Sequence, residues 1–85
     1  MEDCKYSPSV RQVLLFQLLL SQTPVTRMEL MDAFQISKRT LDRDIACLRN
    51  ALSEMAVFEF QLPLYTLIFD PEKDSYHLIK EEFYG

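Results

Sequence analysis

Residues 37–55 place apolar side chains at the spacing of one helix face, and that stripe limits the fold more than any other feature of the chain. Stepping about 100° per residue from Leu41, the side chains of Ile45, Leu48, Leu52 and Met55 all fall within roughly 40° of it. Arg39, Arg43, Ala46 and Asn50 fall on the opposite side. A helix divided in this way seats one face in a core and leaves the other for solvent or a ligand. Ser37 has the chemistry of its N-cap, and the helix is predicted over 37–53.

The rest of the chain supplies what such a helix needs to pack against. Ser7-Pro8 reads as an N-cap followed by proline at the first helical position, opening a helix over 8–21. Gln22-Thr23-Pro24 ends it, because a residue before proline resists the α region. Val25 is expected in a very short strand. Thr26 and Glu29 have capping-box spacing, which starts a second, short helix over 26–34. Beyond residue 56 the period changes. Phe58, Phe60 and Leu62 alternate with Glu59 and Gln61 as in a strand, and "LYTLIF" and "SYHLI" flank the turn chemistry of 70–74 as a hairpin. The expected organisation is one domain over 1–85, with strands and wing at 57–79 and a tail at 80–85 that offers Phe83 and Tyr84.

Charge is unevenly spread. The net charge of −4 conceals five basic against four acidic side chains in 27–50, and two lysines against seven carboxylates in 51–85. Positive charge therefore collects only around the third helix. The longest apolar run, Val13 to Leu20, is interrupted by Gln17 and is too short for a membrane span of about 20 residues. The start "MEDCKYSP" lacks the pattern of a signal peptide, and Cys4 and Cys47 suit a reduced cytoplasmic protein better than a disulfide framework. No metal-ligand spacing, phosphate loop or catalytic constellation stands out, so neither a cofactor nor an enzyme is expected. His77 is expected at solvent, and Cys47 as a small packing residue at the edge of the stripe.

A short capped helix, a three-residue turn and an amphipathic helix with basic residues in its first turns make the geometry of a helix-turn-helix. Lys38, Arg39 and Thr40 lie at an amino end suited to phosphate. Arginine's forked donors match guanine O6 and N7 together. The plainer alternative is a solvated face on which Asp42, Arg43 and Asp44 pair with neighbours. The capped helix before it and the hairpin after it favour duplex DNA.

The stretch "LMDAFQISKRTLDRDIACLR" resembles the helix-turn-helix of DeoR-type and WYL-type bacterial repressors, through Leu30, Ile36, Ser37, Arg39, Thr40, Leu41, Arg43, Asp44, Ile45 and Leu48. The likeness covers residues 9–52 and extends loosely to "FDPEKDSYHL". It implies a mostly α winged helix-turn-helix, a three-helix bundle with a small β-hairpin. It also implies DNA contacts from Ser37, Arg39, Thr40 and Arg43, and a structural role for Asp44. Lys38 and Arg27 are expected to position the phosphate backbone. The chain departs from the family at Met31, where alanine is usual, and at Gln35, where the turn usually has glycine and a left-handed conformation is required. Its wing carries Asp70, Glu72 and Asp74 against Lys73, a balance that repels phosphate. The sensor domain usual in such regulators is not read in these residues.

The first helix carries more apolar surface than one face needs. Leu14, Leu15, Leu18 and Leu19 suffice for the core, while Val13, Phe16 and Leu20 form a second stripe. Either the small core wraps around this helix, or the second stripe is the interface of a homodimer. The expected function is sequence-specific binding of double-stranded DNA in transcription regulation. The competing expectation is a protein-binding winged helix, an inhibitor, antirepressor or adaptor, that presents the acidic hairpin and first helix to a protein partner. A third is the recognition module of a multi-part regulator.

Overall fold

The computed structural model describes residues 5–21, 24–57 and 63–81, with Glu81 described by its backbone alone. Its elements are α1 (Pro8–Leu20), β1 (Val25–Thr26), α2 (Arg27–Phe34), α3 (Lys38–Met55), β2 (Leu64–Asp70) and β3 (Ser75–Glu81). The strand expected around Phe58, Phe60 and Leu62 lies outside the described residues, as do Cys4, Thr23, Phe83 and Tyr84.

Local chemistry sets most boundaries. Ser7 caps α1, its hydroxyl accepting from the Val10 N–H at 3.4 Å, with proline in the first turn. In the capping box of α2, the Thr26 hydroxyl accepts from the Glu29 N–H while the Glu29 carboxylate accepts from the Thr26 N–H, each at 3.1 Å. Ser37 caps α3 by accepting from the Thr40 N–H at 3.2 Å. Helix α1 stops one residue short of its predicted end, and α3 runs two residues further, to Met55. Nothing in 51–55 breaks a helix, and Met55 stays half-buried against the core. Strand β3 continues into the predicted tail, through Lys80 and Glu81, because both still pair with β2.

The sheet has the order β1-β3-β2, all antiparallel, with Leu67 opposite Leu78, Phe69 opposite Tyr76 and Val25 opposite Tyr76 across β3. Alternation puts Tyr65, Leu67, Phe69, Tyr76 and Leu78 on one face, and that face covers the helices. The core consists of Leu15 and Leu19 of α1, Leu30 and Phe34 of α2, Ile36 of the turn, Leu41, Ile45, Leu48 and Leu52 of α3, and Leu67 and Tyr76 of the sheet. Each fully buried leucine here is worth roughly 1.5–3 kcal/mol of transfer free energy.

Three side chains differ from expectation. Leu18 is exposed, since a 13-residue helix on this small core buries only the stripe of Leu15 and Leu19. Cys47 is exposed and unpaired rather than packed, because the α3 stripe is narrow and excludes it. His77 is half-buried, with its Nδ1 shielded and without a hydrogen-bond partner among the described residues.

Candidate nucleic-acid interface

The turn between α2 and α3 is three residues long. Gln35 takes the left-handed conformation at φ 52°, and Ile36 follows with its N–H donated to the Met31 carbonyl at 3.1 Å. That closure lets Ile36 drop into the core between the two helices. A non-glycine residue in this region costs about 1 kcal/mol, consistent with the usual glycine at this point in the resembling family. The wing turn solves a similar problem without glycine. Asp74 has φ 51°, and the Asp70 carboxylate accepts from the N–H groups of Glu72 and Lys73 at 3.0 and 3.4 Å.

A buried ion pair fixes the angle of α3. Arg11 of α1 donates from Nε and Nη2 to the two carboxylate oxygens of Asp44, at 2.7 and 3.2 Å, and the side chains are only 6% and 8% exposed. The same guanidinium donates to the Tyr6 carbonyl at 2.9 Å, and Gln12 Nε2 donates to the Asp44 carbonyl at 3.0 Å. Planar, bidentate pairing of this kind gives direction as well as attraction. Asp44 thus has the structural role that the resemblance implied, but its partner Arg11 was missed. The sequence does hold a signal for it. Arg11, Leu15 and Leu19 are spaced four apart, so an arginine occupies the buried stripe of α1 and demands a counter-charge.

With its core face and Asp44 committed, α3 presents Lys38, Arg39 and Arg43 in its first two turns, all exposed. Among the described residues, none of the three enters an ion pair. Ser37 is exposed at the cap. Thr40 differs from its neighbours. It is 7% exposed, and its hydroxyl accepts from that of Ser37 at 3.2 Å, so it lies under the helix start rather than on its outer face.

Arg27 is also committed. Its guanidinium is 3.6 Å from Asp74 in the wing turn and 4.0 Å from Asp42 on α3, and it sits over the Phe69 ring at 5.5 Å. The neighbouring Tyr76 hydroxyl is the largest cause holding its pKa above the ordinary value, with Coulombic attraction to Asp74 and Asp42 adding to it. The side chain is thus held among the wing turn, α3 and β2.

Of the second stripe on α1, Val13 is 60% exposed and Leu20 partly so, while Phe16 turns inward to an edge-on contact with Tyr65 at 5.6 Å. Together with Leu48, Leu52 and Met55 of α3, these residues line an apolar groove of about 430 Å³. It opens alongside the carboxyl-terminal half of α3, away from Lys38 and Arg39.

A short α2, a tight turn, a second helix with exposed basic residues in its first turns and a three-stranded sheet define a winged helix-turn-helix domain. A family model described as an HTH domain matches residues 10–66, and the chain belongs to that family. The membership agrees with the DeoR-type and WYL-type resemblance of the motif and supports DNA as a partner. No curated protein and no solved structure gives a significant match. No helix among the described residues is long and apolar enough to cross a membrane, and no group of three side chains there could hold a metal ion.

Proposed function

We propose that this protein is a cytoplasmic transcription regulator that binds a specific double-stranded DNA sequence, with the amino-terminal half of α3 in the major groove. The observation that carries the reading is the exposure of Lys38, Arg39 and Arg43 on a helix whose other face and Asp44 are locked in the core. Arg39 and Arg43 read base edges or the adjacent phosphates, and Lys38 and Ser37 set the phosphate register. Thr40, buried under the cap, seats the helix start for those contacts.

One such domain reads only a few base pairs, so the protein acts as a homodimer on half-sites roughly 34 Å apart. The groove lined by Val13, Phe16 and Leu20 supports that assembly, since it is apolar and its α3 lining comes from Leu48 to Met55 rather than from the first two turns. The same groove, together with the acidic wing, is what would serve a protein-docking module instead.

The deciding experiment is binding to a pool of duplexes across a salt series. DNA binding weakens steeply with salt, because counterions released from the phosphates gain less entropy in a more concentrated solution. Arg39→Ala and Arg43→Ala are each expected to weaken selected-site binding by about 1–3 kcal/mol. Wild-type affinity in both variants, or no duplex affinity even at low salt, removes the reading and leaves the docking module.

A further inference from the structure

Arg27 opens α2, yet its side chain reaches the wing turn, α3 and the sheet. Its Nε lies 3.6 Å from the Asp74 carboxylate in the wing turn, and Nη2 lies 4.0 Å from the Asp42 carboxylate on α3. The guanidinium carbon is 5.5 Å from the centre of the Phe69 ring on β2. The Arg27 backbone N–H donates to the Asp74 carbonyl at 2.9 Å, while the shielded Nε, without a hydrogen-bond partner among the described residues, adds a charge contact to the same residue. The side chain is 22% exposed, whereas those of Asp42 and Asp74 are each about half exposed.

The two carboxylates are badly placed for a DNA-binding surface. Asp42 follows Arg39 by three residues and so shares its side of α3. Asp74 belongs to a wing that already carries Asp70 and Glu72. Left alone, both would face the same phosphates that Lys38, Arg39 and Arg43 attract. We infer that Arg27 is a positioning residue for DNA reading: it ties the wing turn to the start of α3 and neutralises Asp42 and Asp74 beside the phosphate backbone. The inference rests on the duplex-DNA reading above. It replaces a direct phosphate contact by Arg27 with an indirect one, since the charge is already engaged within the domain.

Two readouts on the intact chain test it. Arg27→Met keeps an apolar stem and loses the charge, and Arg27→Lys keeps the charge. Without DNA, amide exchange across 70–76 should quicken about tenfold in Arg27→Met, less in Arg27→Lys, and stay unchanged in α1. With a selected duplex at low salt, Arg27→Met should bind about tenfold more weakly, and adding Asp42→Asn with Asp74→Asn should recover most of that loss. The same pair of asparagines should give a smaller gain in the wild-type background.

Unchanged wing exchange in Arg27→Met overturns the proposal. So does a gain from the asparagines that is equal in both backgrounds. A salt slope reduced by about one with no recovery also overturns it, because that is the signature of a guanidinium gripping phosphate itself. A wild-type chain that binds no duplex sinks the DNA reading, and with it the neutralising role. The exchange measurement then decides whether the clamp exists.

Discussion

Removing Asp44 should cost this domain a large part of its stability. The Arg11 guanidinium is 6% exposed and donates to both Asp44 oxygens, so Asp44→Ala removes the carboxylate that answers a buried cation, with the Tyr6 carbonyl still accepting from it. Breaking a buried pair from one side typically costs about 3–5 kcal/mol. A chain of 85 residues has on the order of 4–13 kcal/mol in total at the usual stability per residue. The loss should therefore appear as a fall in Tm of at least about 12 °C, at roughly 4–8 °C per kcal/mol for a domain of this size. Replacing both partners, Arg11→Met with Asp44→Leu, should restore most of the stability, since it removes the desolvation penalty with the charges. The chain has no tryptophan, so urea and thermal unfolding are best followed by far-UV circular dichroism. A cost below 1 kcal/mol for Asp44→Ala, or a double variant no more stable than the single one, would show that the pair is not the anchor of α3.

Gln35→Gly should stabilise the fold by about 0.5–1 kcal/mol in urea titrations, because glycine occupies φ 52° without the Cβ clash; a loss of stability would refute strain at the turn. The Glu29 carboxylate accepts from the Thr26 N–H, and this backbone bond, then the Thr26 hydroxyl, hold its pKa below the ordinary carboxylate value. A group depressed in the folded state contributes stability above its unfolded pKa and loses it as pH falls through the folded one. Glu29→Gln should therefore flatten the acid limb of stability against pH, and an unchanged limb would contradict the capping role. Val13→Asp should shift the chain toward monomer in sedimentation velocity without lowering its Tm, since the side chain is 60% exposed; a wild-type chain that is monomeric at high concentration counts against the groove as a homodimer surface.

Local rules made much of this protein legible before any coordinates. Ser7-Pro8, the Thr26–Glu29 box and Ser37 act within four residues of themselves, so the starts of α1, α2 and α3 follow from them. The period of Leu41, Ile45, Leu48 and Leu52 orients α3, and the left-handed turn at Gln35 was implied by the resemblance, through the glycine usual at that position. The candidate basic residues of α3 were legible too, since Arg39 and Arg43 are on the side that the stripe leaves out and Lys38 opens the first turn.

Other assignments depended on partners distant along the chain. Arg11 lies 33 residues from Asp44, and nothing local says which carboxylate answers a buried arginine. Arg27 was expected to position the phosphate backbone, and only the folded wing sets Asp74 and Phe69 beside it. Thr40 fell within the basic motif, yet the depth of the cap placed it under the helix start. A helix's own period determines which way its side chains point. Which of them are then covered, paired or left open is decided only when α1, the turn and the wing pack around α3, because electrostatic and packing energies depend on distances that the order of residues does not specify.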